Sequence, residues 1–252
     1  MEKYWLERTE LLIKKEGIEN LKNAHVLIVG MGGVGSFAAE FIARAGVGAM
    51  TIVDGDVVDI TNKNRQLPAL TSTVGKSKVE VMANRLMDIN PELKLTVVNE
   101  FISPERAFEI VDNSYDYVVD CIDSITPKVN LILACKRKRV KVVSSMGAGG
   151  KMNPALVKVS DIHNTRDCYL AKTVRKRLAK EGIQKGVKAI FSTELQDEES
   201  LRLVENQDYK KSFYGTISYM PAIFGLYAAS EVINYLINKT SSEINPEQQP
   251  KY

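Results

Sequence analysis

Charged and amide side chains recur in four short motifs of a kind that phosphate chemistry needs. The motifs are Asp54-Gly55-Asp56, Asn62-Lys63-Asn64-Arg65-Gln66, Gly75-Lys76-Ser77-Lys78 and Cys121-Ile122-Asp123. A carboxylate such as Asp54 can accept hydrogen bonds from ribose hydroxyls. Arg65 and Lys78 can neutralise a triphosphate as pyrophosphate leaves, which a dinucleotide oxidoreductase does not require. In combination these residues favour nucleotidyl transfer, although each alone could be structural: a solvated charge, or for Asp123 the cap of a helix that begins at Ser124.

A glycine-rich turn precedes these motifs. The run 26–29 is typical of a buried strand, and Phe37 to Ala45 has the apolar spacing of a helix. Between them lie the glycines of a G-x-G-x-x-G pattern, Gly30, Gly32, Gly33 and Gly35. Such a turn presents backbone N–H groups and a helix N-terminus to phosphate. Two alternatives stay open here: glycines that serve only close packing of strand against helix, and an NAD site, because Asp54 follows the turn by roughly 20 residues.

Strands and helices alternate along the first part of the chain. Further strands are predicted at Ala49 to Val53, Leu93 to Asn99, Tyr117 to Cys121 and Lys141 to Ser145, and helices at Gly75 to Ile89, Pro104 to Val111 and Lys128 to Lys138. This alternation predicts right-handed βαβ units and an α/β fold with a Rossmann-like, mostly parallel sheet. The motifs then lie at the carboxyl ends of successive strands, where such sheets bind ligands.

Segments at both ends of the chain are expected to complete this fold. Amphipathic N-terminal helices are predicted over Glu7 to Lys22, with Leu11, Leu12, Ile18 and Leu21 as the buried positions. After Gly147 to Gly150 we predict strands at Leu156 to Val159 and Ala189 to Glu194, a basic helix at Asp167 to Lys180, and a polar crossover loop at Gln196 to Ser212. An apolar helix at Pro221 to Ile237 is expected to close the core rather than cross a membrane, because Glu231 and Asn234 interrupt it.

The length of 252 residues is sufficient for one large α/β domain. We divide it into a nucleotide-binding core (1–165), a crossover region with the C-terminal helix (166–240) and a solvated tail (241–252). The balance of 34 Lys and Arg against 31 Asp and Glu favours no particular partner. The three cysteines form no C-x-x-C pair, which indicates a reducing compartment and argues against a zinc knuckle. The first fifteen residues have no signal-peptide core, so a cytoplasmic protein without membrane contact is expected.

Taken together, the motifs resemble those of the ThiF/MoeB/HesA superfamily of adenylating enzymes, over about residues 5 to 160. Within it the chain is similar to the tRNA threonylcarbamoyladenosine dehydratases, on Asn62-x-Asn64-Arg65-Gln66, Gly147-Ala148-Gly149-Gly150, Phe191-Ser192-Thr193-Glu194 and the missing zinc cysteines. The resemblance implies ATP-dependent adenylation of the carboxylate of threonylcarbamoyladenosine in tRNA, followed by a cyclising dehydration. The second hypothesis is an adenylyltransferase that activates the C-terminal glycine of a ubiquitin-like sulfur carrier. An NAD-dependent oxidoreductase is the third.

The resemblance also implies roles for individual residues. The implied nucleotide-binding set is Gly30, Gly32, Gly33, Gly35, Asp54, Asp56, Asn62 and Gln66, with Asp54 on the ribose. The implied catalytic set is Arg8, Arg65, Lys78 and Asp123, of which Asp123 also holds Mg²⁺. Arg8 would enter the active site of a partner subunit, which implies a homodimer. Sulfur-transfer proteins are the further partners that such a family suggests.

A tRNA substrate should leave a basic footprint, and two clusters are candidates. The first is Lys136, Arg137, Lys138, Arg139 and Lys141, and the second is Lys172, Arg175, Lys176, Arg177, Lys180, Lys185 and Lys188. Either could be a solvated helix face, and the density of the second favours RNA contact there. The chain departs from the dehydratase pattern in one respect, because no cysteine lies near Lys210-Lys211. We therefore expect ring closure directly from the adenylate, and Cys168 to be an incidental cysteine.

Overall fold

The described residues form seven α-helices and nine strands, which we number in chain order. The computed structural model describes residues 4–203 and 212–239. The helices are α1 (Glu7–Lys22), α2 (Gly35–Arg44), α3 (Lys78–Ile89), α4 (Pro104–Ile110), α5 (Ile125–Lys138), α6 (Tyr169–Lys180) and α7 (Tyr219–Ile237). The strands are β1 (His25–Val29), β2 (Ala49–Val53), β3 (Lys94–Val98), β4 (Tyr117–Asp120), β5 (Lys141–Ser145), β6 (Val157–Asp161), β7 (Lys188–Ser192), β8 (Leu201–Leu203) and β9 (Ser212–Tyr214).

Seven strands form one sheet in the order β3-β2-β1-β4-β5-β7-β6. All neighbours run parallel except β6, which pairs antiparallel with β7. The central strands are continuous apolar runs because helices cover both of their faces. The prediction of an α/β, Rossmann-like and mostly parallel sheet is confirmed.

Each face of the sheet packs against its own set of helices. On one face Ile28 and Met50 join side chains of α2, α3 and α7 in a continuous core. On the other face Leu27 and Val118 pack with α4, α5 and α6. Within the described residues, α7 is the one helix long and apolar enough to cross a membrane, yet residues such as Phe224 and Val232 are fully buried against this core. The prediction that this helix closes the core is confirmed.

The start of α1 differs from the prediction. Ile18 and Leu21 are buried as expected, but Leu11 and Leu12 are 71% and 81% exposed. The backbone at Lys14 has φ 65° and ψ 174°, which breaks the helix into two segments. The axis of the first segment therefore differs from that of the second, and Leu11 and Leu12 in the first segment face solvent instead of the core.

The predicted loop at Gln196 to Ser212 was also wrong in part. Leu201–Leu203 and Ser212–Tyr214 pair as a small antiparallel ribbon, β8 with β9. This ribbon lies on the loop after β5, where Gly150 N donates to Gly215 O (2.8 Å) and Asp197 N donates to Gly150 O (2.9 Å). The position near Lys210-Lys211 and the predicted tail from residue 241 lie outside the described residues.

Two predicted helix starts moved by three residues. α3 begins at Lys78 rather than Gly75, because Gly75 has φ +84° and Val57 pairs with Ser77 in a β-bridge. α5 begins at Ile125 rather than Lys128, and its Pro127 falls in the first turn, where no backbone N–H is needed. Both helices consequently start at the edge of the sheet where the motifs lie.

Candidate functional site

The four glycines of the turn have different surroundings. Gly30 has φ +95°, and a Cβ at Gly35 would lie 1.7 Å from the Gly30 carbonyl oxygen. A Cβ at Gly33 would lie 2.9 Å from a proline side chain at the start of α7. At Gly32, however, the nearest atom to an added Cβ is Gln66 Nε2 at 3.8 Å. Close packing therefore explains three of the glycines, whereas Gly32 borders open space at the N-terminus of α2, where a phosphate would find N–H donors.

Asp54 fastens this turn to the end of β2. Its carboxylate accepts from the backbone N–H of Met31 (2.6 Å) and of Asp56 (2.8 Å). Burial raises the pKa of Asp54, while the nearby Lys78 and these two hydrogen bonds oppose the shift. Asp54 thus fixes the backbone on which a nucleotide would lie, and its position at the strand end is the one from which a carboxylate reaches a ribose.

Lys78 is held at the first turn of α3. Its ammonium donates to Asp56 Oδ2 at 2.8 Å, and its backbone N–H donates to the Asp56 carbonyl at 3.0 Å. The Lys78 side chain is 6% exposed and that of Asp56 is 52% exposed. The lysine is therefore desolvated on one side and oriented by a carboxylate that faces solvent, so its remaining donors have a fixed direction.

The loop that carries Arg65 begins with a tight turn of helix. Asn62 is buried, and its Oδ1 accepts from Asp59 N (3.1 Å), which closes this turn. Arg65 Nη1 donates to the Thr61 carbonyl (3.0 Å) and to Asn64 Oδ1 (2.8 Å). Asn62 is thus built into the loop, and Arg65 is oriented by its immediate neighbours.

Arg65 and Asp123 interact electrostatically. Partial burial lowers the pKa of Arg65, and the charge of Asp123 opposes that shift. Asp123 is exposed just after β4, and the residue that caps α5 is Ser124. The alternative in which Asp123 serves as the helix cap is therefore not what the structure shows.

Gln66 lies between this loop and the glycine turn. Its Nε2 is the atom nearest to the open side of Gly32, and its Oε1 is buried without a hydrogen-bond partner. Among side chains of the described residues, the Ser77 hydroxyl is the one other buried polar atom without a hydrogen-bond partner. A buried acceptor without a partner is costly, so this position requires a hydrogen-bond donor from water or from a ligand such as a nucleotide.

A buried ion pair lies directly behind Asp123 and was not predicted. Lys128 Nζ is 2.7 Å from Asp120 Oδ2, and both side chains are fully buried. The ammonium also donates to Ser144 Oγ (3.2 Å) and to the Ser145 carbonyl (2.9 Å). Asp120 Oδ1 accepts from Ile122 N (3.0 Å), which orients the backbone that leads to Asp123. The sequence indicated that Lys128 would be buried, because it lies on the same face of the helix as the apolar residues 131, 132 and 135.

The structure thus brings most of the predicted residues to one edge of the sheet. They are Gly30, Gly32, Gly33, Gly35, Asp54, Asp56, Asn62, Arg65, Gln66, Lys78 and Asp123.

Arg8 is not among the residues at this edge. A Cβ at Gly46, just beyond α2, would lie 2.5 Å from Leu6 Cδ1, so the residues before α1 pack at the far end of α2. Because α2 has 10 residues, about 15 Å of helix separates that end from the glycine turn.

The donor set at this edge fits a nucleotide triphosphate with a hard cation. Arg65, Lys78 and the start of α2 offer positive charge and N–H groups to phosphate oxygens. Asp123 offers one exposed carboxylate, and Mg²⁺ in proteins commonly takes one or two carboxylates together with phosphate oxygens and water. In the described part of the chain there is no group of three or more His, Cys, Asp or Glu side chains that could hold a metal ion unaided.

Comparison with known proteins extends over nearly the whole chain. The family model described as "ThiF family" matches residues 6–251. The tRNA threonylcarbamoyladenosine dehydratase of Bacillus subtilis is 43% identical over 237 residues, covering 91% of this chain and 93% of that protein. A molybdopterin-synthase adenylyltransferase from Salmonella typhimurium is 35% identical over 154 residues, which cover 61% of this chain and 60% of that protein.

A solved structure gives the same result for the fold. The E. coli tRNA N6-threonylcarbamoyladenosine dehydratase in complex with ATP superposes with a TM-score of 0.83 at 37% identity, covering 91% of this chain and 92% of that chain. The same protein in complex with AMP superposes with a TM-score of 0.81. These full-length similarities are to enzymes of one kind, whereas the adenylyltransferase matches a shorter segment.

Proposed function

The chain belongs to the ThiF family, and on that premise we propose that it is an ATP-dependent tRNA threonylcarbamoyladenosine dehydratase. The observation that carries the proposal is the open face of Gly32, bordered by Gln66, in a site that also holds Arg65, Lys78 and Asp123. Cations fixed around a glycine turn suit the departure of pyrophosphate, which hydride transfer to NAD does not involve. The name and ATP complex of the similar enzyme agree with this assignment.

The reaction activates a poor electrophile. The carboxylate oxygen of the threonylcarbamoyl group attacks the α-phosphorus of ATP, and pyrophosphate leaves as the phosphoanhydride bond breaks. A nitrogen of the same group then attacks the acyl carbon, a ring closes, and AMP leaves with the original carboxylate oxygen. The net change is loss of water at the expense of ATP. Since the second step is intramolecular, it needs orientation more than a protein nucleophile.

The protein residues divide this work by position. We assign Gly32 and the start of α2 to binding phosphate, and Asp54 to holding the ribose while it fastens the turn. Arg65 and Lys78 neutralise the charge that develops on the departing pyrophosphate, and they are oriented in advance by Asn64 and Asp56. Asn62 and Gln66 shape the loop that carries Arg65. Such preorganised cations cost no rearrangement at the moment of reaction.

Asp123 is the residue that we assign to Mg²⁺. The metal would supply further charge neutralisation on the phosphate oxygens. The charge of Asp123 raises the pKa of Arg65 against the effect of burial, so we assign the carboxylate and the guanidinium to the same phosphate-binding region.

The test of this function is pyrophosphate release from ATP, measured with tRNA that carries threonylcarbamoyladenosine and with the same tRNA lacking it. Release that requires the modification, together with loss of one water from the modified nucleoside by mass spectrometry, is expected. Release that instead requires a carrier protein with a C-terminal glycine would assign the chain to the second hypothesis. Absence of release with either substrate would reject both.

A matched pair of arginine variants sharpens this test. Arg65→Met should lower kcat by about 10²–10³, the typical cost of removing one preorganised charge donor from a transition state. Arg85→Met removes a 45% exposed arginine that pairs with Glu40 on the helices, away from the motifs, and should leave kcat unchanged. Equal activity of the two variants would contradict the role of Arg65.

We also propose that the enzyme is a homodimer in which Arg8 completes the site of the partner subunit. Arg8 is exposed on the first segment of α1, which is anchored at the end of α2 remote from its own glycine turn. It forms no ion pair with Glu7 or Glu10, both of which are described. Leu11 and Leu12 on the same segment expose apolar surface that a second copy would cover. An arginine of this kind stabilises charge that develops on phosphates.

The dimer is tested by mixing two inactive variants. Arg8→Ala and Asp123→Ala are prepared separately, shown to be folded and inactive, and allowed to exchange subunits, with mixed dimers counted by two affinity tags. If Arg8 acts across the interface, each mixed dimer has one intact site and pyrophosphate release returns. If Arg8 acts within its own subunit, every site keeps one defect. A mixture that contains mixed dimers but stays inactive therefore contradicts the proposal.

The cellular setting that we propose follows from the substrate. A tRNA-modifying enzyme with three free cysteines, none in a disulfide, suits the cytoplasm. Sulfur-transfer proteins are proposed as further partners only because the family includes an adenylyltransferase of molybdopterin synthase. Ring closure does not use Cys168, which is buried at the cap of α6.

A further inference from the structure

One face of α6 carries positive charge without compensation within the helix. Tyr169–Lys180 contains five Lys or Arg residues and no Asp or Glu. Lys172, Lys176 and Lys180 are exposed and recur every fourth residue, so they form one line along the helix, which we call the basic stripe. Like charges at this spacing destabilise a helix slightly. The basic stripe therefore opposes folding slightly, and a role in binding an anion explains it better than a structural role.

The other basic residues of α6 are used within the protein. Arg175 Nη1 donates to the Thr165 carbonyl at 2.8 Å. Arg177 Nη1 donates to Thr126 Oγ1 at 2.9 Å, and Thr126 lies in the first turn of α5, three residues after Asp123. Arg177 thus fastens α6 beside the end of α5 where the candidate site lies.

The start of α6 lies on the side of the site as well. Lys151 Nζ donates to the Ser192 carbonyl (3.4 Å) at the carboxyl end of β7. Burial lowers the pKa of Lys151, and the charge of Cys168, the residue before α6, opposes that shift. Tyr169, the next residue, is 69% exposed. The exposed ring therefore lies at the N-terminus of α6, one residue after Cys168.

The first basic cluster lies at the other end of α5, beside the C-terminal end of α6. Lys136 to Lys141 begins in the last turn of α5, and this helix of 14 residues places it about 20 Å from the end near Asp123. Arg137 lies 3.9 Å from Glu181 and packs over the ring of Phe108. Lys141 lies over the ring of Tyr235. This cluster is remote from the site, and part of it already has partners.

We propose that the basic stripe binds the phosphate backbone of the tRNA substrate and that Tyr169 stacks on an unpaired base next to the modified nucleotide. The inference rests on the proposed function, which supplies the tRNA. It assigns the RNA to the face of α6 that leads away from Asp123, so the modified nucleotide lies at the site and the adjoining backbone follows the helix. Lysines on a phosphate backbone give affinity that falls with salt, and stacking gives affinity that does not depend on charge.

The two contributions are separated by the salt dependence of binding. Fluorescently labelled tRNA that carries threonylcarbamoyladenosine is titrated with the protein at several salt concentrations. The variant Lys172→Gln/Lys176→Gln/Lys180→Gln should reduce the slope of log K against log[salt] by about 2, since each lost phosphate contact removes about 0.7. Tyr169→Leu should weaken binding while keeping the slope. Both variants should raise KM for tRNA and leave ATP affinity and kcat unchanged.

A control of equal charge guards against a general electrostatic effect. Lys136→Gln/Lys138→Gln/Lys141→Gln removes the same three charges from the first cluster and should keep the wild-type slope. Equal losses in the two triple variants, or an unchanged slope in the α6 variant, would overturn the surface assignment. Unchanged tRNA binding with lost binding of a polyglutamate peptide would assign the stripe to an acidic protein and likewise overturn it. Turnover by the wild type tests the proposed function independently of these outcomes.

Discussion

Replacing Lys128 by methionine tests the buried ion pair behind the site. The ammonium is 2.7 Å from Asp120, and both side chains are fully buried, so the variant leaves a carboxylate in the core without its counter-charge. Breaking a buried pair in this way costs about 3–5 kcal/mol of unfolding free energy. Since domains are stable by only about 5–15 kcal/mol, the loss should be a large fraction of the total.

A second substitution distinguishes charge from packing. In Asp120→Asn/Lys128→Met both charges are absent, and the new amide can hydrogen-bond to Ser144 and to Ile122 N in place of the carboxylate. We expect the double variant to recover most of the loss, because replacing both members of a buried pair is often close to neutral. The free energy of unfolding is measured from urea denaturation curves of the wild type and the two variants.

Arg85→Met is the control, because its arginine is 45% exposed and its partner Glu40 keeps a second ion pair with Arg44. Exposed pairs contribute about 0–1 kcal/mol, so this variant should unfold close to the wild type. A Lys128→Met loss no larger than that of Arg85→Met would refute the reasoning, as would a double variant less stable than the single one.

Three further predictions concern other parts of the chain. Gly32→Ala should keep wild-type stability and lose ATP affinity in calorimetric titration, whereas Gly35→Ala should lower the melting temperature because its Cβ meets a backbone carbonyl at 1.7 Å; equal melting temperatures would contradict the assignment. Burial lowers the pKa of His25, with Asp116 and Asp112 opposing, so the unfolded state binds the proton first and stability should fall as pH drops below about 6.5; His25→Gln should flatten that decline in melting temperature, and parallel curves would argue against it. Leu11→Gln/Leu12→Gln should weaken self-association in sedimentation without lowering the melting temperature, and an unchanged dimer would remove these leucines from the interface.

The sequence allowed prediction where the deciding information is local. The strands at 49–53 and 141–145 have the predicted bounds, because a run of apolar residues between polar ones specifies a buried strand without reference to distant parts of the chain. The site motifs stand at strand ends for the same reason, and Arg65, Lys78 and Asp123 meet because parallel strands bring their carboxyl ends to one edge.

What could not be predicted depends on contacts between distant residues. The partnership of Lys128 with Asp120 and Ser144 joins a helix to two strands, and only the apolar stripe around the lysine hinted at it. Leu11 and Leu12 were placed in the core because their spacing continues that of Ile18 and Leu21, and nothing local reveals the break at Lys14. The ribbon of β8 and β9 depends on contacts with the loop after β5.

The position of β7 between β5 and β6 imposes an order on assembly. Each of the strands β2 to β5 finds a neighbour already made, because β2 and β4 pair with β1, β3 pairs with β2, and β5 pairs with β4. β6 breaks this sequence, because among the described strands it pairs only with β7, which is synthesised later, after α6. On the ribosome, where chains emerge from the N-terminus, β6 stays unpaired until both α6, which carries the basic stripe, and β7 have been made. Once β6 and β7 have paired, both ends of α6 are connected to strands that are hydrogen-bonded to each other, so the helix and its basic stripe are fixed to the sheet at both ends.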